Sequence, residues 1–140
     1  LYSELARQNI VKTKKYISTK QLKPSEKNIR DFRQKVISGE LSHLNSFEQS
    51  GDFFSLSQCR DLYFHIKEHR FTIKQLQETL TSNNLKFLGF LLPLSIKSLY
   101  NVSFPEDIKQ TNLHNWERFE EKHPNTFTAM YQFWVSKISR

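Results

Sequence analysis

With 140 residues the chain can bury one modest core, and its 12 Phe, 5 Tyr and 2 Trp rule out a disordered segment. Its longest apolar run, residues 87–94, is interrupted by Gly89 and Pro93 and falls well short of the roughly 18 residues that a membrane-spanning helix requires. The single cysteine, Cys59, excludes an internal disulfide or a thiolate metal cluster and points to a reducing, cytoplasmic setting, while the excess behind the net charge of +7 lies in residues 1–35, with ten Lys/Arg against three Asp/Glu.

The chain opens on Leu1-Tyr2-Ser3-Glu4-Leu5-Ala6-Arg7, with no initiator methionine, charged leader or apolar signal core, and so reads as a piece of something longer. Residues 4–19 set Leu5, Ile10, Val11, Tyr16 and Ile17 on one helical stripe. Pro24-Ser25-Glu26 carries the signals of a helix start, and Ile29, Phe32, Val36 and Ile37 form a second stripe ending near Gly39. A short helix is expected around Leu41, Leu44 and Phe47, broken at Gly51-Asp52. Residues 53–66 mix aromatic and polar groups without a period, so no backbone is assigned to them. Thr72 is a good cap for a helix with Ile73, Leu76 and Leu80 on one side, ended by Ser82-Asn83-Asn84. Residues 85–92 have the pattern of a buried strand, and residues 112–122 that of a helix bearing Leu113, Trp116 and Phe119, stopped by His123-Pro124. Residues 126–135 are rich in strand-favouring side chains and read as a strand, with a helix as the alternative because Phe127, Met130, Tyr131 and Trp134 also share a helical face. Helices thus outnumber strands, and two strands alone make a poor sheet, which implies that partner strands lie upstream of Leu1.

Three stretches carry a family resemblance: residues 1–7, residues 59–72 (CRDLYFHIKEHRFT), and residues 112–134 from Asn112-Leu113-His114 to Gln132-Phe133-Trp134. In this order they resemble the C-terminal part of bacterial class I S-adenosylmethionine-dependent methyltransferases of the kind often fused to tetratricopeptide repeats. The resemblance implies an α/β fold, the end of a doubly wound, Rossmann-like sheet. Residues 1–22 would follow the fifth strand, residues 23–70 would form a mostly helical insertion over the active-site mouth, and residues 71–140 would supply the last helices and strands, all within one domain piece. Residues 85–92 would be the sixth strand and residues 126–137 the seventh, antiparallel one. S-adenosylmethionine would be held by the upstream part of the same polypeptide, since Gly39, Gly51 and Gly89 are isolated and make no glycine-rich turn. The fragment by itself is then expected to be inactive, and the methyl acceptor is unspecified.

Methyl transfer needs alignment and, for a protonated acceptor, a base. The substrate-side candidates are the central polar cluster: Asp61, His65, Glu68 and His69 as bases, Arg60 or Arg70 to hold an anionic group, and Tyr63 to orient it. The competing structural reading, which is favoured, pairs Arg60 with Asp61 and uses the histidines to satisfy local backbone. His65-Ile66-Lys67-Glu68-His69 also fits the H-x-x-E-H pattern of a zinc hydrolase, in which one helical turn presents both histidines; the pattern is short and no third ligand is evident, so no metal is expected. Cys59 reads better as packing than as a nucleophile. Trp116, Phe119, Tyr131, Phe133 and Trp134 likewise read better as core than as an aromatic box. The lysines at 12, 14, 15, 20, 23 and 27 leave a small basic helical interaction or nucleic-acid-binding module as the alternative function, although a solvated helix face explains them more simply.

Overall fold

The computed structural model describes residues 1–44, 51–65, 68–127 and 130–138, leaving aside the side chain of Asp52. Among these residues it is mixed α/β, with six α-helices and two small two-stranded sheets. The chain divides into two compact units, Gln8–Glu68 and the combination of Leu1–Arg7 with His69–Arg140.

In the unit Gln8–Glu68, helix α1 spans Gln8–Thr19 and α2 spans Glu26–Ile37. Ser25 caps α2 by accepting from the backbone N–H of Asn28 at 3.3 Å, which satisfies one of the free donors of its first turn. Gly39 closes the helix at φ +81°, a left-handed conformation that glycine adopts without steric cost. The stripe Ile29 and Phe32 is buried, as its period requires, and packs with Ile17, Leu41, Leu44, Phe53, Tyr63 and Phe64. Phe32 is the hub, its ring centroid lying 6.0 Å from those of both Tyr63 and Phe64. The short helix expected near Leu41 is a 3-10 turn at Ser42–Leu44, while Phe47 lies outside the described residues. Instead of a break, Gly51–Phe53 forms a second 3-10 turn. Residues that resisted assignment form a capped helix α3, Leu56–Cys59, running into a π-helical turn over Arg60–Phe64.

The other unit begins with a correction. Residues 4–7 are not helical: Tyr2–Ser3 is a strand, β1, paired parallel with β2 at Arg70–Phe71. Helix α4, Ile73–Ser82, starts with a reciprocal capping box in which Thr72 accepts from the Gln75 backbone and Gln75 accepts from that of Thr72. Strand β3, Leu85–Phe90, follows and is succeeded by a helix not anticipated from the sequence, α5 at Leu94–Ser103. Helix α6, Leu113–Lys122, is capped by the Asn112 side chain. The last strand, β4, is confined to Phe133–Lys137 and pairs antiparallel with β3 from Leu85 opposite Lys137 to Phe90 opposite Phe133. Residues 124–127 form a turn rather than strand or helix, anchored where Thr126 Oγ1 donates to the carbonyl of His123 at 2.7 Å; residues 128–129 lie outside the described set. Tertiary packing overrides β-propensity here, because Phe127 and Tyr131 turn inward against Phe90, with centroids 4.6 and 5.8 Å away. Around these rings the core gathers Leu76 and Leu80, Phe87, Phe104, and Leu113, Trp116 and Phe119, with Tyr100 stacked on Trp116 at 3.8 Å. No helix among the described residues is long and apolar enough to cross a membrane.

Candidate functional site

The polar residues expected in the centre of the chain fall in both units, and those of Gln8–Glu68 have different surroundings. Arg60 and Asp61 lie exposed on the π-helical turn and form no ion pair with each other. Tyr63, two residues on, points the other way and is 4% exposed in the aromatic core. Glu68 is committed to Lys14 of α1, 3.2 Å away, in a pair whose side chains are only 8% and 17% exposed. His65 is exposed and extended at φ −75°, ψ 128°, immediately after the helix ends at Phe64; Ile66 and Lys67 lie outside the described residues, and Glu68 and His69 are in no helix. One helical turn therefore does not present His65 and His69 together, which is the geometry that an H-x-x-E-H zinc site needs. Among the described residues no group of three or more His, Cys, Asp and Glu side chains could hold a metal ion. His69 and Arg70 border a shallow, open groove along α4 with Gln75, Glu78, Thr79 and Asn83.

Cys59 is fully buried, and burial pushes its thiol up to about 11 although Arg33 draws it the other way. A thiol so placed is packing, not a nucleophile. Of the five aromatic residues considered for a box, Trp116, Phe119 and Tyr131 are core and Phe133 packs against it, but Trp134 is 63% exposed on the opposite face of β4. That departs from the core reading for this one residue.

The convergent polar site is elsewhere, around residues 1–7. Glu120, on the inner face of α6, is 2% exposed and accepts from two hydroxyls: Ser3 Oγ at 2.5 Å, and Tyr131 Oη at 2.8 Å on one carboxylate oxygen and 3.1 Å on the other. Ser3 Oγ accepts in turn from the backbone N–H of Ala6 at 3.0 Å, so it is satisfied on both sides. Burial raises the Glu120 carboxyl above its ordinary range, opposed by the hydrogen bonds from Ser3 and Tyr131, with Glu117 adding to the rise. Burial likewise raises the Tyr131 phenol. Around this centre Arg70 Nε donates to Glu4 at 2.9 Å, and the Arg7 guanidinium sits 4.0 Å above the ring of Tyr2. Four residues of the opening motif thus hold β1 in place. The carboxyl group is sealed from solvent, so it can orient a strand end but cannot reach a substrate. Single-sequence reasoning had no access to it, since Ser3 and Glu120 are 117 residues apart; the one available signal was an acidic residue on the apolar face of α6 beside Trp116 and Phe119.

The glycines provide no cofactor cradle: Gly39 ends α2, Gly51 opens a 3-10 turn and Gly89 lies within β3. No protein-family model matches the chain, and no curated protein sequence matches it.

Proposed function

We propose that the chain is the C-terminal part of an S-adenosylmethionine-dependent methyltransferase, supplying the end of the sheet and substrate-side elements, with the cofactor bound by the upstream part of the same polypeptide. The observation that carries this reading is the alternation of hydrogen bonds at the start of β4. Tyr131 exchanges both backbone bonds with Leu1, its N–H donating at 2.6 Å and its carbonyl accepting at 3.4 Å, whereas the next residue, Gln132, accepts from Leu91 on the β3 side at 2.7 Å. Consecutive strand residues address opposite edges, so Leu1 lies on the edge of β4 away from β3, and the reciprocal pair is an antiparallel one. A strand running into Leu1 would therefore flank β4 and run parallel to β3. This is the order expected of a doubly wound sheet that closes with one antiparallel strand. Tyr2, Ser3 and Glu4 then stand at the carboxyl end of that strand, where open α/β sheets bind their ligands.

No step of methyl transfer is assigned to residues of this chain, since the proposal places the cofactor on the upstream part of the polypeptide. The test is calorimetric titration of S-adenosylmethionine into the product of the complete gene, expressed from its initiator codon, and into the 140-residue chain. Binding to the former and not to the latter is expected. A complete gene product that binds no S-adenosylmethionine would remove the reading.

A further inference from the structure

A second feature lies on the face of β3 and β4 away from the aromatic core. The register between the strands shifts between Phe87 and Gly89, a bulge that turns Leu88 outward to 47% exposure. Gly89 adopts φ +140°, and a Cβ built on it would meet nothing within 4 Å. The strand therefore presents bare backbone below open space. Leu88, Leu91 and the exposed indole of Trp134 wall that space, and Lys97 and Lys109 stand at its rim in a cleft of about 400 Å³. Sites for small molecules occupy about 300–1,000 Å³, so this one suits a single compact ligand.

The rim is held firmly. Asp107 accepts from the hydroxyl of Tyr100, and from the backbone N–H groups of Thr111 at 3.2 Å and Asn112 at 3.0 Å. Gln110, at φ +55°, accepts on its carbonyl from the Trp116 indole at 2.9 Å and donates its side-chain amide to the Lys97 carbonyl at 3.1 Å. No carboxylate lines the cleft, and among the described residues neither Lys97 nor Lys109 has an acidic partner. An aromatic platform and a floor without side chains suit a flat ring, and two ammonium groups with no ion pair suit a negative charge.

We infer that this cleft binds a small planar aromatic anion, a ring bearing a carboxylate or phosphate, with the ring on Trp134 and the charge toward Lys97 and Lys109. The inference is independent of the methyltransferase reading. It is tested by titrating the chain with naphthalene-1-carboxylate and, separately, with naphthalene-1-methylammonium, which has the same ring and the opposite charge. Resonances are followed by NMR: the Trp134 indole N–H reports the cleft, and the amides of Leu76 and Leu80, in the same core but outside the cleft lining, report the fold in the same sample. Saturable movement of the Trp134 resonance with the carboxylate is expected, with the ammonium probe at least about tenfold weaker. Since stacking on an aromatic side chain is worth about 1–3 kcal/mol, Trp134→Ala should weaken carboxylate binding by roughly five- to 150-fold, followed through the Leu88 and Gly89 amides. Lys97→Glu with Lys109→Glu should abolish or reverse the preference for the anion while leaving the Leu76 and Leu80 amides in place. Equal binding of the two probes, or carboxylate binding that survives both sets of substitutions, would overturn the assignment.

Discussion

Replacing Tyr131 by Phe isolates the hydroxyl that donates to Glu120. The ring should stay where it is, against Phe127 and Phe90 at 4.7 and 5.8 Å, so the change removes a hydrogen bond and little packing. Its worth depends on the charge of the acceptor: about 1.5–3 kcal/mol to an ionised carboxylate, about 0.5–1.5 kcal/mol between neutral groups. Glu120 has a folded-state pKa raised above its ordinary value of 4.5. The folded chain therefore keeps this proton over a range of pH in which the unfolded chain has already lost it. Stability from this group is complete below pH 4.5 and declines as pH rises through the folded pKa. Because Tyr131 favours the ionised form, Tyr131→Phe raises that pKa further and costs more at high pH than at low. Both tryptophans belong to this unit, so urea unfolding followed by indole fluorescence reads it directly. The expected loss is about 2–3 kcal/mol well above the window and about 1 kcal/mol below it. A loss that is the same at both ends, or larger in acid, would refute the account of Glu120 as a buried acid stabilised by two hydroxyls.

Glu120→Gln should remove the decline in urea midpoint that the parent chain shows as pH rises through the same window, leaving a flat profile. Gly89→Ala should cost about 1–3 kcal/mol by urea unfolding, entirely from backbone strain at φ +140°, because the added methyl meets no neighbour. Cys59 should resist iodoacetamide in the folded chain near pH 8 and react fully in urea, as mass spectrometry would show; rapid alkylation without denaturant would contradict a buried thiol pushed up to about 11.

Regular periodicity made part of the fold readable. Ile29 and Phe32 behind Ser25, and Leu113, Trp116 and Phe119 behind Asn112, carry both a helical spacing and a cap, and both helices stand where the spacing put them. Strand β3 was legible as an apolar run between Asn84 and Pro93. Strand β1 was not, since two residues become a strand only through partners near residues 70 and 131. Helix α5 was missed although Ile96, Tyr100 and Phe104 recur every fourth residue after Pro93; its polar positions are mostly serine and asparagine, which blur the contrast between faces. The surroundings of the candidate site residues were hidden for a related reason. Neighbours along the chain do not reveal that Tyr63 turns into the core, that Glu68 pairs with Lys14, or that the helix stops before His65.

The placement of residues 1–7 with residues 69–140 has a consequence for the order in which the molecule is made. Residues 8–68 make up a unit by themselves, whereas β1 waits for Arg70–Phe71, and Leu1 for Tyr131, 130 residues away. Contacts of such long sequence separation close slowly. Ser3 therefore meets Glu120, and Glu4 meets Arg70, only after the whole stretch between them has been made, and β1 is secured late.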